Sequence, residues 1–208
     1  MPVISAWRVA LIACLMWSAA TAPLAVHRSD APAVRLADTL SPNATGRIIA
    51  LYPRITDAQA LAVPGGEQVP DLHLTLVDFG DTGCNLDEAA LQRRLDELTA
   101  TNAHPIEAKA FGHAIFNPQS GQSDTAVVYV VGDSADLDPW HDQAVQLAAQ
   151  FCALPSQHDP WVPHITATYG PSDGVLTFTG PVVFDRLGLI WDGRTTYFPL
   201  QPTAPGSG

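Results

Sequence analysis

Between residues 47 and 199 the apolar positions alternate in short runs, interrupted twice by helical spacing. Arg47 to Tyr52 reads as a strand halted by Pro53, and a polar stretch through Pro64-Gly65-Gly66 leads to a second strand over about Leu72 to Phe79. Gly80-Asp81-Thr82-Gly83 breaks that strand. From Leu86 to Thr101, Leu91, Leu95 and Leu98 recur at helical spacing, with Asp87 and Glu88 near the start where carboxylates suit the helix dipole. His104 to Phe116 reads as a strand, 117–123 as a turn and the valine-rich Thr125 to Val131 as the next strand. Asp138-Pro139 starts a helix expected to stop near Pro155, with Ala144, Leu147, Ala148 and Phe151 on one side. A strand from Val162 to Tyr169 ends at Gly170-Pro171, and Val182 to Trp191 with Thr195 to Pro199 look like a closing pair. This order predicts an α+β fold of two lobes, each with a mainly antiparallel sheet and an outer helix, around a central groove.

Two of these strands carry more than core positions. Leu72-His73-Leu74-Thr75-Leu76 and Pro163-His164-Ile165-Thr166-Ala167 each place a His-x-Thr triplet in an alternating pattern. Side chains two apart share a face, so His73 lies with Thr75 and His164 with Thr166, while leucine and isoleucine take the core side. The triplets are 91 residues apart (164 − 73), which suits one per lobe. Cleaving a phosphodiester without a metal requires one imidazole to take a proton, another to give one, and hydroxyl donors for the non-bridging oxygens. Two such strands facing one groove supply that set.

Composition narrows the partners. The chain has 208 residues, 47% hydrophobic and 15% charged, enough for one core in a domain over 47–199. A net charge of -11 and a single lysine, Lys109, argue against a phosphate-tracking surface for long nucleic acids; a small nucleotide or RNA end fits better, bound by a monomer. Residues 1–22 have the shape of a signal peptide: Arg8, an apolar run from Val9 to Trp17, then Ser18-Ala19-Ala20-Thr21-Ala22. The run is too short to span a bilayer, so no membrane contact is expected of the mature form. Localisation divides on this segment: exported if it is a true signal, cytoplasmic otherwise. Residues 23–46 read as a flexible linker and 200–208 as a disordered tail. Cys84 and Cys152 sit in no metal spacing and are expected as two lone thiols, with pairing as the alternative in an exported protein. Asn43-Ala44-Thr45 matches a glycosylation sequon, meaningful only in a eukaryotic secretory setting.

At the paired triplets the chain resembles the two-histidine (2H) phosphoesterases, the superfamily that includes 2'-5' RNA ligase-like proteins and cyclic phosphodiesterases. Leu61-Ala62-Val63-Pro64-Gly65-Gly66-Glu67, Phe116-Asn117-Pro118, Pro160-Trp161-Val162-Pro163-His164 and Phe184-Asp185-Arg186-Leu187 look like members found in bacteriophages of actinobacteria. The resemblance covers about residues 47 to 199 and implies His73 and His164 as general acid and base, with Thr75 and Thr166 binding phosphate. It implies no cofactor, no metal and no covalent intermediate. Two positions depart from it: Ala167, where an aliphatic such as Leu is more usual, and Asp78, where relatives tend to be apolar. The alternative of another class is a non-catalytic nucleotide-binding module on the same fold.

The remaining candidates carry weaker signals. Tyr169 is the preferred aromatic ligand contact beside the second triplet, ahead of Tyr52 and Trp161. Arg186 and Arg194 could reach phosphate, although exposed arginines more often serve solubility. Asp71 could share a face with His73, but no metal-ligand spacing accompanies it. His27, His104, His113, His141 and His158 fall in linker, strand, helix or loop contexts that give them no assigned role.

Overall fold

The computed structural model describes residues 46–80, 86–102, 104–118, 125–170 and 176–200. The chain divides into residues 1–33 and 34–208, and every described residue belongs to the second unit. The expected signal segment, the linker up to residue 45, the sequon, Cys14, Cys84 and residues 201–208 lie outside the described residues.

Among the described residues seven strands and three α-helices follow in the order β1 (Ile48–Pro53), α1 (Ile55–Leu61), β2 (Leu74–Asp78), α2 (Glu88–Thr101), β3 (Ile106–Phe116), β4 (Ala126–Gly132), α3 (Leu137–Ala148), β5 (His164–Tyr169), β6 (Gly180–Trp191) and β7 (Arg194–Pro199). The fold is α+β and every strand pairing is antiparallel. The expected pair of sheets is instead one hydrogen-bonded sheet, ordered β2-β1-β6-β3-β4-β5 with β7 also on β6. The reason is the length of β6, 12 residues. Its segment Phe184–Ile190 pairs with β1, while its other edge serves β3 along Gly180–Phe184 and β7 along Arg186–Trp191. One strand thereby joins both lobes.

Helix formation follows the apolar spacing. Asp87 caps α2 by accepting from the Ala90 N–H at 3.0 Å, and Leu91, Leu95 and Thr99 face inward. α3 buries Leu137, Trp140, Ala144, Leu147 and Ala148. Both helices pack on the same core as Leu51, Leu74, Phe184, Ile165 and Ala167, so a single apolar core runs beneath both lobes. On the opposite face of the sheet Ala50, Tyr52 and Ile190 form a small second cluster with Tyr197. β6 turns into β7 through Asp192 and Gly193, both at positive φ (48° and 77°), the mirror-image turn that matches strand twist.

Several boundaries move. α1 was not anticipated, being too short for a period to show; it buries only Ala58 and Leu61. α3 ends at Ala148 rather than near Pro155, so Cys152 lies beyond the helix. Cys152 is disulfide-bonded, which corrects the expectation of two lone thiols. Leu200, assigned above to the tail, is fully buried and its N–H donates to the Asp185 carbonyl at 2.8 Å. Among the described residues no helix is long and apolar enough to cross a membrane.

Candidate functional site

β2 and β5, the end strands of the sheet path, pack against each other, so the curled sheet brings both His-x-Thr segments to one place. A single 3-10 turn over Val69–Asp71, with Pro70 in its first positions, delivers the chain to His73, which stands just before β2. The Asp71 carbonyl lies 2.6 Å from His73 Nδ1. In the second segment the Val162 carbonyl lies 2.7 Å from His164 Nδ1. In each case the partner is the carbonyl two residues upstream. A carbonyl only accepts, so both Nδ1 atoms carry the hydrogen and each neutral ring keeps its lone pair on Nε2.

The strands share a second feature. Ala50 opposes Thr75, but the register then slips by one, so Val77 opposes Ile49 and Asp78 opposes Ile48. In β5, Thr166 opposes Val128, then Thr168 opposes Val127 and Tyr169 opposes Ala126. Leu76 and Ala167 are thus extra residues, each directly after the motif threonine. Opposed residues share a face, so Asp78 turns to the side of Thr75, and Tyr169 to the side of Thr166, three positions on instead of two. Strict alternation would have turned both away.

The approach segments are docked crosswise. The Glu67 N–H donates to the Ala167 carbonyl at 2.8 Å, so the loop before the first motif rests on the strand of the second. Gly66 makes this approach feasible: a Cβ there would meet the Ala167 oxygen at 2.2 Å. Reciprocally, Gln157 pairs with the end of β2, accepting from the Asp78 N–H at 3.1 Å and donating to the Asp78 carbonyl at 2.9 Å, in the manner of a neighbouring strand. That holds the loop leading to His164. Between loop and strands is a cavity of about 400 Å³ that Thr75 and His164 both line, together with Asp78, Phe116, His158 and Trp161.

Electrostatics set the protonation states. Burial pulls His73 below the ordinary imidazole value; the bond to the Asp71 carbonyl and the Asp71 charge oppose this, and His164 lowers it further. Burial likewise lowers His164, opposed by the Val162 carbonyl and reinforced by His158. Burial raises Glu67, and Asp71 adds to the shift. Tyr52 packs at 5.6 Å (ring centroids) from His73 and its hydroxyl is held far above its usual range, first by burial and then by Tyr197. Such a ring orients the imidazole without titrating. Gly188 leaves room for it, since a Cβ there would lie 2.4 Å from Tyr52 Cε2.

Of the residues expected from sequence, Thr75 and His164 share the cavity, and His73 and His164 are close enough to feel each other's charge. Thr166 lies on the His164 face of β5 without lining that cavity. Tyr169, 57% exposed at the far end of β5, does not line it either, whereas Trp161 does. Arg186 donates to the Pro53 carbonyl at 2.9 Å and Arg194 pairs with Glu88 at 2.9 Å. Sequence reasoning passed over His158, Gln157 and Phe116, whose ring meets His164 edge-on at 4.7 Å. Only the phrase Phe116-Asn117-Pro118 carried a signal. Among the described residues no three His, Cys, Asp or Glu side chains gather in a way that could hold a metal ion.

No family profile and no curated protein matches this sequence. Solved structures do share its shape. TT0787 of Thermus thermophilus superposes with a TM-score of 0.53 at 16% identity, covering 75% of this chain and 95% of that one. A protein described as a phosphoesterase (TM-score 0.47, 18% identity) and E. coli LigT complexed with 3'-AMP (TM-score 0.45, 18% identity) each cover the same shares, 75% and 95%. The likeness to TT0787 is one of fold.

Proposed function

We propose that this chain is a metal-independent phosphodiesterase of the 2H type, acting on 2',3'-cyclic or 2'-5' phosphate linkages of RNA ends or small cyclic nucleotides. The observation that carries the reading is the matched pair of imidazoles, each fixed through Nδ1 by the carbonyl two residues upstream, at the starts of two strands that pack together. One neutral Nε2 takes the proton of the attacking water. The other ring, protonated, gives its proton to the ribose oxygen that departs. Thr75 and Thr166 hydroxyls donate to the non-bridging oxygens, and no covalent intermediate is needed. Run in reverse, the same groups support ring closure or ligation of RNA ends. The net charge of -11 keeps the substrate small.

The test is turnover of 2',3'-cyclic nucleotides by the full chain and by its His73→Ala and His164→Ala variants. Hydrolysis that falls by about 10²-fold or more in each variant supports the reading. Binding without turnover in the unaltered protein points to the non-catalytic module instead. The disulfide at Cys152 favours the exported alternative, because such bonds persist in oxidising compartments. N-terminal sequencing of the mature protein tests it.

A further inference from the structure

The cavity beside Thr75 and His164 carries an assignment of its own, which rests on the reading above. It is walled by apolar and aromatic groups, Phe116, Ile115, Pro160, Trp161 and Val162 among them. Trp161 is held by His141, stacked at 4.2 Å and 14°. Among the described residues neither lysine nor arginine lines the cavity, and the one carboxylate that does is Asp78. A second phosphate would meet only the imidazoles of His158 and His164 there and would face the Asp78 carboxylate. A flat, uncharged ring finds stacking surface.

Asp78 is present in this wall because of the register slip after Thr75, which turns it from the core side to the side of the motif threonine. Its Oδ1 accepts from the Gly80 N–H at 2.8 Å, which steadies the carboxylate, and the side chain is exposed. A carboxylate offers acceptors only. It therefore favours a ring edge bearing N–H donors and disfavours one bearing carbonyls.

We infer that this cavity is the nucleobase subsite and that Asp78 is its specificity-determining residue, selecting bases with exocyclic amino groups, guanine foremost, over uracil. Guanine presents an amino group and a ring N–H side by side to a carboxylate, whereas the single N–H of uracil is flanked by two carbonyl oxygens.

The experiment measures kcat/KM of the full chain, Asp78→Ala and Asp78→Asn for guanosine and uridine 2',3'-cyclic phosphates, alongside tryptophan-fluorescence titration with 3'-GMP and 3'-UMP. The unaltered protein should favour guanosine on the order of 10-fold, with the ratio falling towards one in Asp78→Ala. Asp78→Asn keeps an oxygen for Gly80 and should fall between, which guards against a folding defect in the alanine variant. Turnover with a ratio that Asp78→Ala leaves unchanged overturns the subsite and spares the phosphodiesterase. No turnover, yet a guanosine binding preference that Asp78→Ala removes, supports the subsite and overturns the phosphodiesterase. Neither turnover nor binding at millimolar nucleotide overturns both.

Discussion

Gly66→Ala tests the crosswise docking directly. A Cβ at this position would meet the Ala167 carbonyl oxygen at 2.2 Å and Val63 Cγ2 at 2.6 Å, where ordinary contacts begin near 3.4 Å. The oxygen belongs to the backbone of β5 and cannot rotate away, so loop and strand must separate by roughly 1 Å. Overpacking of this kind costs about 1–3 kcal/mol, and losing the Glu67 N–H bond to Ala167 costs about 1 kcal/mol more. A total of about 3 kcal/mol, in a domain of this size, lowers Tm by roughly 6–12 °C. Because the displaced carbonyl lies three residues after His164, kcat/KM should fall by as much as about 10²-fold. The neighbouring glycine supplies the control. Gly65 has φ +75° with nothing within 4 Å of a built Cβ, so Gly65→Ala costs only the backbone preference, about 1 kcal/mol, and leaves β5 where it is. Circular-dichroism melts and steady-state kinetics on both variants make the comparison. Equal losses in the two variants, or a Gly66→Ala melt within about 2 °C of the unaltered protein, would refute the argument that close approach, and not flexibility, requires this glycine.

The other expectations concern protons, the loop clamp and metals. Both imidazoles are lowered below the ordinary 6.5, so the pH profile of kcat/KM should be bell-shaped with its maximum on the acid side of that value; activity still rising through about pH 8 rules the pairing out. The same shifts act on stability. A histidine whose folded pKa lies below its unfolded one binds more protons when unfolded, so the stability present above about 6.5 is lost as pH falls through and below that value. Urea midpoints should drop between about pH 7 and pH 5, and His73→Asn with His164→Asn should shrink the drop. Gln157→Glu removes the donor to the Asp78 and Pro155 carbonyls and adds a charge beside Asp78. A fall of roughly 10-fold in kcat/KM with a melt within a few degrees of the unaltered protein is expected; a large melt shift with normal kinetics contradicts a positioning role. EDTA should leave turnover unchanged, because in the proposed mechanism the imidazoles and hydroxyls supply the proton transfers and the phosphate contacts.

What could be read from sequence was what depends on period. Thr75, His164 and Thr166 stand in short alternating strands, with His73 just before the first of them, and alternation survives into the structure up to each threonine. It fails immediately afterwards, since a register slip leaves no mark in an apolar run: Leu76 and Val77 are both buried, as a core strand would also allow. Asp78 was noted above as a departure from the relatives and its orientation could not be foreseen. The single sheet was missed for a related reason. Val182 to Trp191 reads as one strand, but nothing in its composition says that one edge will serve two partners in succession. The cavity wall was missed because the loop from Pro155 to Pro163 has no period at all; its place is set by Gln157 bonding to a strand 79 residues away.

The crosswise bonds explain why both motifs can sit on edge strands without losing alignment. An edge strand has one row of unpaired backbone groups and is held from one side only. Here those free edges are used: Ala167 accepts from the loop that carries His73, and Asp78 is paired by the loop that carries His164. Each imidazole is oriented by a carbonyl of its own approach segment, and each approach segment is anchored to the other motif's strand. The two rings are consequently positioned as a pair, although they come from opposite ends of the sheet path. Two register slips in equivalent places make the arrangement nearly symmetric in backbone. The asymmetry lies in what the slips present, an acid at Asp78 inside the cavity and a phenol at Tyr169 outside it. In the proposed reading the chemistry shared between the halves rests on the repeated His-x-Thr geometry, and discrimination between substrates on Asp78, where the other half has Tyr169.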